Sequence, residues 1–355
     1  MSEIWNHYGP TAARRHGTPG RQSRPSGPTI DIHCHVGVPE AQAFVAPHLD
    51  PGRIPLVRFA TADTRALNRK QDEDRAQHFV SHAVRLADMD AAGIDIQLIS
   101  PPPGQCYFGL PPEIAVPATR MVNDGLAAFV AQRPDRFLAL GTVALQDPDS
   151  AVQELERCMT TLGMKGVEIL TNVEGRELSD PAFAPFWAAA ERLGALVMLH
   201  PNGFTEGERL SRFYFNNVIG NPLETTIALH YLIFDGVLER HPDLRILAVH
   251  GGGYLGAYPG RIDHAWGARS DCRAGLPHPP TTYLTRIYVD SVVFTPGQLA
   301  QLVATFGPDH VLMGTDYPFD MAEADPLGHI AAVPEFDAAT RAAIAGGNAA
   351  RLLGL

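Results

Sequence analysis

The 355-residue chain is 45% hydrophobic and 19% charged, an ordinary balance for a soluble globular enzyme with a large core. Its formal net charge of −11 argues against a nucleic-acid partner, and it repels a small anionic substrate at long range, so such a substrate needs local cationic residues. No apolar run approaches the roughly 20 residues of a membrane span, and the N-terminus lacks a signal-peptide core. Four scattered cysteines (Cys34, Cys106, Cys158, Cys272) without a CxxC pair are expected to be reduced thiols of a cytoplasmic protein.

Residues 1–29 are rich in Gly, Pro, Ser and Arg and read as a flexible N-terminal arm. From residue 30 one pattern repeats: a short apolar run, often β-branched, ends in polar or Gly/Pro residues, and a helical segment usually follows. The runs are TIDIHCHV (29–36), IDIQLISP (94–101), FLALGTVAL (137–145) and KGVEILT (165–171), followed by ALVMLHP (195–201), LRILAVHGG (244–252), RIYVDSVV (286–293) and HVLMGTDYP (310–318). Helical stretches are expected between them, for example at 115–133, 149–163, 180–194 and 222–241. Eight such strands predict one α/β domain over residues 30–355, a (β/α)8 TIM barrel with helices outside a closed parallel sheet. The rival, a doubly wound open sheet, usually carries a Gly-rich phosphate turn after its first strand, and HCHVGVPEA is not one. The segment between the first two strands (37–93) is long and its first part lacks clear periodicity, which predicts an insertion over the barrel mouth. The tail from Phe336 reads as a closing helix pair.

In such a barrel the chemistry sits at the C-terminal ends of the strands. The first strand ends in His33 and His35, which a side-chain period of two puts on one side, with Cys34 facing the helix layer. The fifth ends in His200, the sixth in His250 and the eighth in Asp316. Each alone reads as a hydrogen-bonded loop or turn residue; five at one end of the barrel point to a shared metal site. Three imidazoles and a carboxylate suit one zinc or another borderline divalent ion with a position left for water. The fourth strand ends in Thr171 and Asn172, and Lys165 lies at its other end, so no bridging ligand for a second ion is expected. The expected ligands are His33, His35, His200 and Asp316. Two roles stay open for His250: an acid/base acting on metal-bound water, or a ligand itself.

These motifs, together with NPLETTIALHYLIFDGVLERHPDLRILAVHGGG, the Arg of PGRIDH and MGTDYPF, resemble the amidohydrolase-2 branch of the amidohydrolase superfamily, and within it the aminocarboxymuconate-semialdehyde decarboxylase group. The resemblance runs over about residues 30–353. It implies a (β/α)8 barrel, a mononuclear zinc site with the four ligands above, His250 as catalytic base, and a carbon–carbon lyase reaction without an organic cofactor. It also implies a homodimer in which Arg261 binds a substrate carboxylate in the neighbouring subunit. A second substrate arginine is expected in the long first loop, with Arg75 preferred over Arg65 and Arg69. Two pocket positions depart from the group: Asn202 stands where a Trp follows the strand-five His-Pro, and Tyr214 replaces a Trp further along. Branch members with Glu for the first His act on hydroxybenzoates, so His33 favours the muconate-type group.

The resulting expectation is a non-oxidative decarboxylase of a small unsaturated or aromatic carboxylic acid. The alternative on the same site is a metal-dependent hydrolase or hydratase of a lactone, amide or enol acid, in which water adds and no CO2 leaves. A non-catalytic metal-binding protein is the third reading, against which the vacant coordination position and the extra His250 argue.

Overall fold

The fold is built on eight parallel strands, each set by an apolar run that is buried on both faces. They are β1 (Ile30–His35), β2 (Ile96–Ser100), β3 (Phe137–Ala139, resuming at Gly141–Thr142), β4 (Gly166–Leu170), β5 (Leu196–His200), β6 (Arg245–Ala248), β7 (Ile287–Asp290) and β8 (Val311–Leu312). The computed structural model describes residues 20–273 and 275–355. Sequential strands pair in parallel around the ring. The ring closes where Ile32 N donates to Met313 O at 2.9 Å and His35 N donates to Tyr317 O at 2.7 Å.

Ile30, Ile32, Leu98, Leu140, Met198 and Leu247 fill the barrel interior, while Val167, Ile169, Val197 and Ile246 face the helix layer. The principal helices are α1 (Ala62–Val80) and α2 (His82–Ala92) after β1, α3 (Pro112–Gln132) after β2, α4 (Pro148–Thr160) after β3 and α5 (Ala184–Leu193) after β4. Then come α6 (Gly220–Phe234) after β5, α7 (Pro259–Ala268) after β6 and α8 (Pro296–Phe306) after β7. Their ends carry the expected local chemistry: Asp147 and Thr295 cap α4 and α8, and Gly93 and Gly194 close α2 and α5 in the left-handed conformation.

Several elements depart from the sequence expectation. Strict period-two alternation fails in β1, because its register against β2 shifts between Asp31 and Cys34. The shift lets Ile30 and Ile32 pack the interior while His33 and His35 also point inward at the strand end, and Cys34 still faces outward. The segment without periodicity contains α1, 19 residues long. That helix is mostly polar, only Gln71 and Arg75 are buried, and its few apolar residues form no stripe to detect. The expected 222–241 helix breaks at Gly236, which has φ +71°. The expected arm lies largely outside the described residues, but its end is tied down: Gly20–Ser23 forms a 3-10 turn and Arg24 pairs with Asp95. Among the described residues no helix is long and apolar enough to cross a membrane.

Gly166 opens β4 with φ +154°, and a Cβ there would lie 1.9 Å from the Leu196 carbonyl oxygen of β5. Gly166→Ala should therefore disrupt the β4–β5 register. A loss of about 3 kcal/mol or more in urea unfolding is expected, and a loss under about 0.5 kcal/mol would contradict this account of the site.

Candidate metal centre

All five strand-end residues singled out in the sequence converge. One ring nitrogen from each of His33, His200 and His250 and one oxygen of Asp316 lie within 4.8 Å of one another. His35 joins them: its Nε2 is 3.2 Å from His33 Nε2 and 3.2 Å from Asp316 Oδ1. The quartet of mutually close donor atoms thus contains His250 in place of the expected His35, which touches the group through His33 and Asp316.

The back sides of the rings separate the roles. His33 Nδ1 donates to Asp290 Oδ2 at 2.6 Å, His35 Nδ1 to the Pro101 carbonyl at 2.9 Å, and His200 Nδ1 to the Pro201 carbonyl at 2.8 Å. A neutral imidazole that donates from Nδ1 presents a lone pair at Nε2. Three lone pairs thus face one point, and those of His33 and His35 face each other at hydrogen-bond distance with no proton to share. His200 Nε2 is buried and has no hydrogen-bond partner among the described residues. A divalent cation resolves both features, and donors oriented from behind by carbonyls and a carboxylate are what metal sites use. His250 differs: its Nδ1 has no acceptor among the described residues, and its Nε2 lies 3.4 Å from Asp316 Oδ2.

Electrostatics divide the rings differently: burial acts to lower His35, but the hydrogen bond of Asp316, the charges of Glu168 and Asp316 and the Pro101 carbonyl outweigh it, so its pKa is raised, as is that of His250. Burial holds His33 below and His200 well below the ordinary histidine value, with the neighbouring imidazoles lowering His200 further. Burial also acts to lower His250, but the hydrogen bond and charge of Asp316 and the charge of Asp290 outweigh it, so its pKa is raised. For Asp316 burial is outweighed by the surrounding histidines, which keep it well below the usual carboxylate range.

Two of these residues sit in the left-handed region, His250 at φ +55° and Asp316 at φ +63°. Non-glycine residues rarely adopt it, and such strain concentrates at functional sites. His250 begins a left-handed run through Gly251, Gly252 and Gly253. A Cβ on Gly253 would meet the Pro222 carbonyl at 2.2 Å, so the glycines serve close packing.

The sequence reading missed the residues that hold this arrangement. Asp290, at the end of β7, accepts from His33 Nδ1, from His250 N at 3.0 Å and from Gly251 N at 2.9 Å. Asp31 accepts from Thr315 Oγ1 at 2.7 Å and from Gln97 Nε2 at 3.0 Å, and burial pushes its carboxyl up to about 6. Arg85, fully buried on α2, donates to Gln97 Oε1 at 2.9 Å and to the His35 carbonyl, and lies over the Tyr317 ring. Glu168 lies inside β4, 3.7 Å from His35 Nδ1, with its carboxyl pushed up to about 7 by burial. It stands behind His35 rather than on the Nε2 side, so it does not act as a bridging carboxylate. Asp290 had a readable signal, a lone acid at a strand end; Glu168 in mid-strand had none.

The other sequence-predicted residues divide. Arg75 is buried on α1, donates to the Pro318 carbonyl at 3.4 Å and lies 3.7 Å from Asp320, in the loop that follows Asp316. Tyr214 lies near it, its phenol pushed up by burial and by the charges of Asp320 and Asp316. Asn202 lines a cleft beside the centre. Arg261 lies apart, exposed on α7, with no side-chain partner among the described residues. Asp263, two positions on, accepts from Thr281 N and Thr281 Oγ1.

Asp290→Asn should present an amide N–H or a weaker acceptor to His33 and loosen its tautomer. About a 10–100-fold loss of metal affinity in chelator competition is expected; unchanged affinity in a folded variant would remove Asp290 from this role.

The family model described as Amidohydrolase matches residues 30–355. The 2-amino-3-carboxymuconate-6-semialdehyde decarboxylase of Dictyostelium discoideum is 36% identical over 273 residues, 77% of this chain and 76% of that protein. The gamma-resorcylate decarboxylase of Rhodococcus jostii (strain RHA1) is 31% identical over 272 residues, 70% of this chain and 80% of that protein. The solved 5-carboxyvanillate decarboxylase of Sphingomonas paucimobilis superposes with a TM-score of 0.81 at 27% identity, over 92% of this chain and 99% of that one. With the match running from the first barrel strand to the last residue, the chain belongs to the amidohydrolase family.

Proposed function

We propose that this chain is a metal-dependent, non-oxidative decarboxylase, a carboxy-lyase acting on a small unsaturated or aromatic carboxylic acid. The observation that carries the reading is the set of three Nδ1-anchored imidazoles converging with Asp316, beside a fourth, His250, whose Nδ1 is unanchored among the described residues. Decarboxylase activity in relatives covering most of the chain supports the choice of reaction over hydrolysis.

In this reading His33, His35, His200 and Asp316 hold one divalent ion. Zinc fits that borderline donor set. The bound ion supplies a Lewis acid that fixes a substrate oxygen and stabilises charge developing there. Asp316 then has two tasks, one oxygen facing the metal side and the other near His250 Nε2. His250 holds a proton at Nε2 and delivers it to the substrate carbon that loses CO2, so the electron pair of the broken bond ends in a new C–H bond. Arg75, with Tyr214 beside it, draws the substrate carboxylate to the mouth of the barrel, and Asn202 borders the bound molecule. Arg261 serves the active site of a partner chain in a homodimer, which accounts for an arginine left exposed and unpaired among the described residues.

Purified protein should carry about one divalent ion per chain by elemental analysis, with His200→Ala empty, and should release CO2 from one member of a panel of such acids. A metal-loaded protein that adds water to a substrate without releasing CO2 would overturn the reading.

His250→Asn should keep its metal and lose about 10²–10⁴-fold in turnover; loss of the metal would make it a ligand.

For Arg261, His250→Asn and Arg261→Ala homodimers should each be nearly inactive. Random subunit exchange should restore roughly a quarter of the sites if Arg261 acts across a two-fold dimer, and none if it acts within its own chain.

A further inference from the structure

A cleft of about 200 Å³ opens beside the metal centre, between the first-loop insertion and the loops that follow β2, β4 and β5. It lies next to the end of β5, because Leu170, which lines it, pairs in register with His200, and Asn202, two residues past His200, lines it too. It is smaller than the roughly 300–1,000 Å³ of common ligand pockets, which suits part of a single-ring acid.

Its chemistry is one-sided. Leu49, Ile54, Tyr107 and Phe108 supply apolar walls, and Asn172 and Asn202 supply uncharged polar groups. The titratable groups lining it besides Tyr107 are His48, Asp50, Arg53 and Glu174. Arg53 is the only Lys or Arg among them, and it is already paired with Glu174. That pair joins the first-loop insertion to the turn between Asn172–Val173 and Arg176–Glu177, where Glu174 is held at φ +52°. Behind the wall, Glu224 accepts from Asn172 and from Thr205 N, adding a further acid rather than a cation. A carboxylate entering this cleft would meet one guanidinium, whose charge Glu174 already offsets, and two acids, Asp50 and Glu174.

We infer that the cleft is a subsite for an uncharged substituent of the substrate, remote from the carboxylate that leaves. A second carboxylate, where the substrate has one, lies outside this cleft. The inference rests on the decarboxylase reading for its choice of ligand, and it names what that reading leaves open, the group at the far end of the acid.

The test uses metal-loaded, full-length enzyme and matched pairs of acids, hydroxybenzoates and open-chain dienoic acids. Within a pair, the position remote from the leaving carboxylate carries either a methyl or a carboxyl group. The methyl member is expected to have at least a hundredfold higher kcat/KM, since a site rejects a group whose polar partners it cannot supply. Glu174→Gln, which frees Arg53, should raise the carboxyl-to-methyl ratio at least tenfold, and Phe108→Ala should lower the affinity for the methyl member. A wild-type preference for the remote carboxyl, or a ratio unmoved by Glu174→Gln, overturns the subsite while leaving decarboxylation intact. CO2 from no member overturns decarboxylation instead. Calorimetric binding of the same pairs then decides the subsite alone: tighter binding of the methyl member supports it, and equal or weaker binding overturns it.

Discussion

The carboxylate of Asp290 is the contact on which the centre depends. It is fully buried, and burial alone would raise its pKa, yet the hydrogen bond from His33 keeps it lowered. Backbone N–H groups of His250, Gly251 and Val292 complete its shell. One side chain thereby fixes the tautomer of a metal-facing histidine and pins the start of a left-handed loop that no helix or strand would hold. A buried acid satisfied by four donors is tolerable; remove one partner and the remainder becomes an uncompensated charge.

The same logic of support from behind extends around the ring. Pro101 and Pro201 offer carbonyls that have no backbone amide of their own residue to distract the local ladder, and they anchor His35 and His200. Arg85 grips the carbonyl of His35, and Asp31 grips Thr315, the neighbour of Asp316. These contacts orient the ring nitrogens toward one point. A divalent ion bound there would add stability by mass action as well as function.

Much of this was legible in the sequence because a parallel barrel imposes a simple grammar. Apolar runs mark strands, and polar residues at their C-terminal ends mark the mouth, which was enough to single out His33, His35, His200, His250 and Asp316. The same grammar reached Asp290 but was not applied to it, because YVDSVV reads as an uninterrupted strand. Glu168 was beyond reach, since a buried acid in mid-strand looks like any outward-facing polar residue until the register with Met198 is known. The polar helix α1 hid for the opposite reason: without an apolar stripe its helical form rests on capping by Thr61 and tertiary placement. The irregularity in β1 is a pairing property, and pairing partners far apart in sequence leave no local mark.

The ring of strands closes between its first and last members, and the centre lies on that seam. His35 and Asp316 meet across 281 positions of sequence. Closing so long a loop costs chain entropy that is recovered only when both ends have docked. During synthesis the two histidines of β1 emerge well before the carboxylate that meets them, which comes only with β8. A nascent or C-terminally clipped chain can therefore offer the histidines but not the assembled site. The set of side chains is complete only once β8 has docked against β1.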